Sequence, residues 1–348
     1  MNTKTIPLER KDVEKTTSLP LRPSSLVAVV VLGGLALVPA LVSDSFFIHS
    51  LIMILFFAYM STAWNFVCGY VGQLSLGHTM FSGAGGYCSV LLFTQLGVSP
   101  WIGMIFGGFL AAFLSVLIGL PTFRLKGPYF TLTMTACAEI LRIWVENTND
   151  FYGIPLKGAE GLVVPSMGDD VWAFQFTSKI PYFYIILIML AVAIFATRLM
   201  ERSKLGYCLK AIRGDRDAAE ALGINPTRYT TLAFAISAFM TALGGSFYAQ
   251  FFRYINPERN MGLELSIDMA VMSIIGGQGT VLGPLLGAAI LVPIAEAARG
   301  TLGGSFLGLH LVIYGLALIA CVLYFPKGVI HPLGRFFSRL FGLKETRG

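Results

Sequence analysis

Runs of about 20 apolar residues recur along this chain, and each must be helical if it crosses hydrocarbon, where no water can satisfy a free backbone amide. They lie at 26–43, 46–66, 74–94, 100–121, 128–145, 182–200, 229–250 and 307–324. A further apolar stretch, 268–298, is interrupted by GGQGTVLGP at 276–284 and fits either a re-entrant pair or two short spans. The expected fold class is therefore all-α: a polytopic transmembrane helical protein of about eight full spans plus that pair. With 55% hydrophobic and 13% charged residues, the composition excludes an ordinary soluble domain. The 38 glycines suit helices packed backbone to backbone.

The polar residues sort by side. Starting inside, parity places 122–127 and 201–228 in the cytoplasm and 146–181 and 251–267 outside. Only Arg142, Lys157, Lys179, Arg253, Arg259 and Arg299 then fall outside, leaving 19 of the 25 Lys and Arg residues within. This asymmetry points to membrane lipid as the partner of the positive charge and away from nucleic acid. Residues 1–25 carry no early apolar run and read as a flexible cytoplasmic tail, 26–328 as one transmembrane domain, and 329–348 as a basic cytoplasmic tail. The 146–181 segment, rich in Gly, Pro and acid, reads as an ordered extracytoplasmic loop. The five cysteines are scattered without a CxxC pair, and the four histidines are spread along the chain, so neither a redox nor a metal site is expected.

Between two spans sits ERSKLGYCLKAIRGDRDAAEALGINPTR (201–228), which hydrocarbon would exclude. Its middle carries helix signals: Asp215 as cap, Ala218, Ala219 and Ala221 to propagate, Gly223 to terminate, and Pro226 beyond. A short Ala-rich helix held beneath a membrane is suited to mechanical coupling.

Two apolar stretches carry glycine breaks at matching places, GYVGQLSLGHTMFSGAGGY (69–87) and IIGGQGTVLGPLLGAAI (274–290). Each has a Gly-Gln pair followed by a hydroxyl residue, and the topology makes them inverted. Such pairs are the best sequence pointer to a translocation path, which makes Gln73, Ser75, His78, Gln278 and Thr280 candidate lining groups. The competing reading is tight packing through glycines such as Gly103/Gly107 and Gly283/Gly287, with the polar groups merely capping broken helices. Ser75 and His78 do not make a catalytic pair, because no orienting acid or nucleophile elbow accompanies them. Glu139, Asp268 and Glu296 fall near outer span ends, with Arg142 placed to pair with Glu139. An ion-gradient-driven secondary transporter would account for the breaks, but it usually needs a carboxylate near the midplane and leaves the Ala218–Gly223 loop without a purpose.

Five segments in order carry a family resemblance: GYVGQLSLGHTMFSGAGGY, RLKGPYFTLTMTACAEILR (124–142), AIRGDRDAAEALGINPTRYTTLAFAISAFMTALGGSFYA (211–249), SIIGGQGTVLGPLLGA (273–288) and LHLVIYGLALIACVLYFPKGV (309–329). From about Trp64 to Gly328 the chain resembles the LivM-type permease subunit of ABC importers for branched-chain amino acids. The resemblance implies alternating access driven by two ATP-binding subunits, beside a second, LivH-like permease subunit, with solute delivered by an extracytoplasmic binding protein at the bacterial inner membrane. It implies that Ala218, Ala219, Glu220, Ala221 and Gly223 form the helix that docks on the ATPase, with Arg213, Asp215, Arg216 and Asp217 at its start. No GxxxxGK[ST] loop is present, so no enzymatic activity and no cofactor are expected of this chain itself. The loop FYGIPLKGAEGL (151–162) departs from the Thr-Gly-Gly run common in the family. Permeases of this type also serve urea, short amides and other small solutes.

Overall fold

The computed structural model describes residues 33–39, 44–125 and 127–302, together with positions 315, 319, 328 and 329. Its elements are helices α1 (Ser45–Val71), α2 (Thr79–Leu96), α3 (Pro100–Thr122), α4 (Pro128–Glu146), α5 (Ile180–Arg202), α6 (Lys204–Gly214), α7 (Arg216–Ala221), α8 (Pro226–Phe252), α9 (Pro257–Met261), α10 (Leu263–Gly277) and α11 (Gly283–Leu302). Four of them, α1, α3, α5 and α8, are long and apolar enough to cross a membrane. The protein is a polytopic helical membrane protein. Of the expected spans, 307–324 and most of 26–43 lie outside the described residues.

Helix α1 is the centre of the bundle. Asp44 caps it by accepting from the Phe46 N–H, Gly72 ends it at φ +81°, and α5, α8, α10 and α11 pack around it. Its residues from Met53 to Val71 are therefore nearly all buried, Asn65 included. Helix α3 does the opposite. Ile105, Phe106, Phe109, Phe113 and Leu117 are exposed along it, as expected of a face turned to lipid.

Small residues fasten α2, α3 and α8 together. A Cβ added to Gly107 would lie 2.8 Å from the Gly85 carbonyl oxygen, and one on Gly103 would lie 2.9 Å from Ser89 Cα. Glycine thus lets these backbones approach to a distance any side chain would forbid. The packing reading holds for Gly103 and Gly107. It holds also for Gly287, whose backbone N lies 2.8 Å from a Cβ placed on Gly276.

The stretch expected as 268–298 is a pair of helices, α10 and α11, packed on each other across the break Gln278–Leu282. The span expected to begin at residue 74 begins instead at Thr79, because residues 72–78 leave helical geometry.

The segment after α4 is ordered. Strands β1 (Asp150–Phe151) and β2 (Ile154–Pro155) form a hairpin, and β3 (Leu162–Val163) pairs antiparallel with β4 (Tyr254–Ile255) after α8. Gln175 is fully buried there, accepting from the Met167 N–H at 2.7 Å and donating to the Pro165 carbonyl at 2.7 Å. Below it Tyr87, Val90, Leu156, Leu162 and Ile255 form a second apolar cluster. This end of the bundle lies opposite the α6–α7 elbow. Arg142 on α4 pairs with Glu139 at 2.8 Å and with Glu146 at 2.7 Å, so the anticipated ion pair is present and gains a second acid.

Candidate translocation site and coupling elbow

The first break is a folded turn whose freed backbone groups are taken up by protein. Trp64 Nε1 donates to the Ser75 carbonyl at 2.8 Å, and Thr131 Oγ1 donates to the Leu74 carbonyl at 2.7 Å. His78 is fully buried between two hydroxyls, Ser75 Oγ on Nδ1 and Ser237 Oγ on Nε2, each at 3.0 Å. Ser237 spends its own proton on the Ala63 carbonyl at 2.6 Å, so it must accept from His78 Nε2. A neutral ring with its proton on Nε2 would in turn accept from Ser75 at Nδ1. Phe81 and Phe234 close over it edge-on. Ser75 and His78 thus form a closed structural relay joining the break to α1 and α8. Gln73 differs: its Oε1 is buried with no hydrogen-bond partner.

The second break lies against the end of α1. Asn65 organises it. Its Oδ1 accepts from the Gly279 N–H at 2.8 Å and from Ser273 Oγ at 3.1 Å, while its Nδ2 donates to the Thr280 carbonyl at 2.9 Å. Gln278 Nε2 donates to the Cys68 carbonyl at 2.8 Å. Thr280 Oγ1 donates to the Gly277 carbonyl and accepts from the Gly283 N–H, which caps the start of α11. Asn65 was absent from the sequence candidates. Its signal was an amide inside the apolar run STAWNFVCGY, where a polar group without a partner would cost about 1–3 kcal/mol.

Between the breaks and the surface stands the elbow of α6 and α7. Helix α6 buries Gly206, Cys208, Leu209 and Ile212. Asp215 then caps α7, accepting from the N–H groups of Asp217 at 2.9 Å and Ala218 at 3.0 Å. At the other end Gly223, at φ +82°, donates to Glu220 O at 2.9 Å, and Ile224 N–H reaches Ala219 O at 3.1 Å. This is a Schellman close, available because glycine accepts the left-handed conformation. Ala218, Glu220, Ala221 and Leu222 face outward, whereas Ala219 is 2% exposed and packs against its own chain. Leu222, 81% exposed, is the most prominent apolar group of the elbow and was not among the candidates.

Arg213 is exposed over part of its length, yet its guanidinium reaches the end of α1. Its Nη1 donates to the Gly69 carbonyl oxygen. A Cβ on Gly72 would lie 2.9 Å from Arg213 Cγ, and one on Gly279 would lie 2.5 Å from Nη1. One side chain of the elbow therefore touches both breaks. Beside it a cleft of about 280 Å³ is lined by Val71, Gln73, Gly127, Ile212, Arg216 and Asp217.

This arrangement of two broken helices touched by one arginine from the end of α6 accompanies a family match. Residues 46–322 match the family described as the branched-chain amino acid transport system / permease component. The chain belongs to this family. Among curated members, it is 26% identical over 285 residues to the high-affinity branched-chain amino acid transport system permease protein LivM of Salmonella typhimurium, covering 76% of this chain. It is 27% identical over the same length to LivM of Escherichia coli K12. The chain spans 65% of the length of either LivM relative. The LivH permease protein of Escherichia coli K12 is 25% identical over 290 residues, 79% of this chain and 91% of its own. No solved structure matches the chain significantly. The family match takes in α1 to α11, so both breaks and the elbow fall inside it.

Proposed function

We propose that this chain is one membrane-spanning permease subunit of an ATP-driven importer at the bacterial inner membrane, moving branched-chain amino acids or a related small solute. In this reading it has about eight full spans plus the α10–α11 pair, with the two breaks inverted and both termini cytoplasmic. It pairs with a LivH-like permease subunit, docks two ATP-binding subunits on the α6–α7 elbow and receives solute from an external binding protein. It hydrolyses nothing itself.

The observation that carries the reading is the contact of Arg213 with Gly69, Gly72 and Gly279. An ATPase pushing or pulling on α7 would act on a rigid lever. Asp215 joins α7 to α6 with no intervening loop, and Arg213 sits two residues before that joint. Displacing the elbow would withdraw the guanidinium from both breaks at once. The path would then change state where backbone is already free of the helical ladder and cheapest to move. The exposed face of Ala218, Glu220, Ala221 and Leu222 is the surface available to the ATPase.

The test is co-purification from membranes of the native host. Wild type is expected to bring down ATP-hydrolysing subunits, and Ala218→Arg with Leu222→Asp to lose them while keeping membrane insertion and thermal midpoint. Wild-type protein that carries no ATPase yet moves solute in vesicles would overturn the proposal in favour of an ion-driven carrier.

A further inference from the structure

The second break is closed by a part of the chain that neither α1 nor the elbow supplies. In an unbroken helix the Ile275 carbonyl would accept from the Gly279 N–H, but that N–H is spent on Asn65. The carbonyl is taken up instead by the Val329 N–H at 2.8 Å, from beyond the end of α11. Ile275 is 2% exposed and Val329 8% exposed, so no bulk water stands ready to replace this bond. Gly328, at φ +82°, brings the two segments together backbone to backbone. A Cβ added to it would lie 2.6 Å from Gly277 Cα, 2.9 Å from Gly277 N and 3.3 Å from the Gly276 carbonyl carbon. Gly277, at φ +129°, likewise holds a conformation that residues with a side chain rarely adopt.

Three elements thus converge on the end of α10. Asn65 of α1 takes the Gly279 N–H, Arg213 of α6 lies against Gly279, and Gly328–Val329 takes the Ile275 carbonyl. The third differs in kind. Gly328 meets Gly277 glycine to glycine, so no side chain interlocks there, and one backbone hydrogen bond completes the hold. Such a contact can part and re-form without repacking its neighbours, and parting leaves a buried carbonyl without its donor. The Val329 side chain belongs to the apolar cluster that also contains Cys68, Ile212, Ile275 and Val281. A shift of this segment is therefore felt at the end of α1, at the elbow and in the break together. We propose that Gly328–Val329 is a latch on the second break. Seated, it positions the end of α10 and keeps the junction of the two breaks shut; released, it frees the turn Gln278–Leu282 to move. Gly328 and Val329 are positioning residues, acting through Gly277 and Ile275. The inference rests on the proposed function only for what the junction gates, and it is indifferent to which solute passes.

The test labels Cys68, which is buried, with a polar maleimide in the full-length chain in lipid nanodiscs, the other cysteines being replaced by serine. Gly328→Val drives a side chain into Gly277, and Val329→Pro deletes the donor to Ile275. Each should speed labelling several-fold. Val329→Ile keeps both the N–H and an apolar side chain, and it should label at the wild-type rate. A second set of chains retains only Cys88, on α2, and should show no acceleration in any variant. Equal acceleration at Cys88 in both disruptive variants would reduce the segment to general packing and overturn the proposal. So would wild-type labelling of Cys68 in either of them, or acceleration by Val329→Ile as large as by Val329→Pro. Labelling needs neither ATP nor a partner subunit, so the latch can fail while an ATPase still co-purifies, and can hold where none does.

Discussion

The guanidinium of Arg213 donates a hydrogen bond to the carbonyl oxygen of Gly69, across 144 positions of sequence. That bond joins the polar elbow to the end of α1, and the same side chain lies against Gly279 of the second break. Cys68, buried one position before the accepting carbonyl, is a natural reporter of whether this junction is closed.

Arg213→Ala should therefore expose Cys68. In a chain whose other cysteines are replaced by serine, a polar maleimide added from the elbow side should label the variant several-fold faster than wild type, with Arg213→Lys intermediate. Equal labelling rates would show that the arginine does not hold the junction closed.

Asn65→Leu removes the partner of Gly279 N–H, Ser273 Oγ and the Thr280 carbonyl at one stroke. The loss should be about 2–4 kcal/mol, most of it from groups left buried without a partner. Denaturant unfolding in detergent reads it directly, and a midpoint at the wild-type value would rule out the organising role.

Gly85→Val should disrupt the α2–α3–α8 packing, because a Cβ at Gly85 would stand 2.6 Å from Ala242 Cα, with backbone on the opposing side. Overpacking of this kind costs about 1–3 kcal/mol or more where backbone must move. Gly34→Ala, in a helical segment with nothing within 4 Å of the added atom, is the control without a clash and should not lower thermal stability.

Asp215→Ala should fray α7 by about 1 kcal/mol, while Asp215→Asn should largely preserve it, since asparagine caps equally well. Hydrogen exchange at Asp217 and Ala218 measures this locally. Faster exchange confined to the alanine variant is the expected pattern, and identical protection in both would deny the cap its role.

The turn around Asp169 should loosen in acid. Hydrogen bonds from Thr177, foremost, and the nearby Arg253 charge hold the Asp169 carboxyl below the ordinary carboxylate range. Its contribution is present above the unfolded-state value and is lost as pH falls through the lower folded value. Exchange of the Thr177 amide should accelerate only in that acidic window, and Asp169→Asn should abolish the pH dependence. A flat profile in wild type would exclude the linkage.

The four long apolar helices α1, α3, α5 and α8 were plain in the residues, because an apolar run of membrane length has only one way to satisfy its backbone. The ends of α3, α4, α5 and α8 fall within a few residues of expectation. The α7 helix was equally legible, since Asp215 and Gly223 act on neighbours within one turn. The start of α2 was less so. The residues after Gly72 look apolar enough to be helical, but Ser75 and His78 are drawn away by Trp64 and Ser237 on other helices.

Of the candidate site, the sequence marked Gln73, Gln278 and Thr280 through their repeated Gly-Gln setting, and it located the short helix α7. It did not show that Ala219 turns inward and leaves Leu222 as the outward apolar group. That follows from the rotation of a six-residue helix against α6 and α8, which no local pattern specifies.

The sequence by itself determined where the long apolar helices run and where they break, because hydrocarbon length, caps and glycines act over a few residues. Only the tertiary structure decided that the two breaks touch, that Asn65 binds Thr280 from 215 positions away, and that Arg213 belongs to the junction as well as to the elbow. Those pairings depend on how α1, α6 and α10 pack, and close approach of backbones at Gly69 and Gly279 is what brings the polar groups within reach.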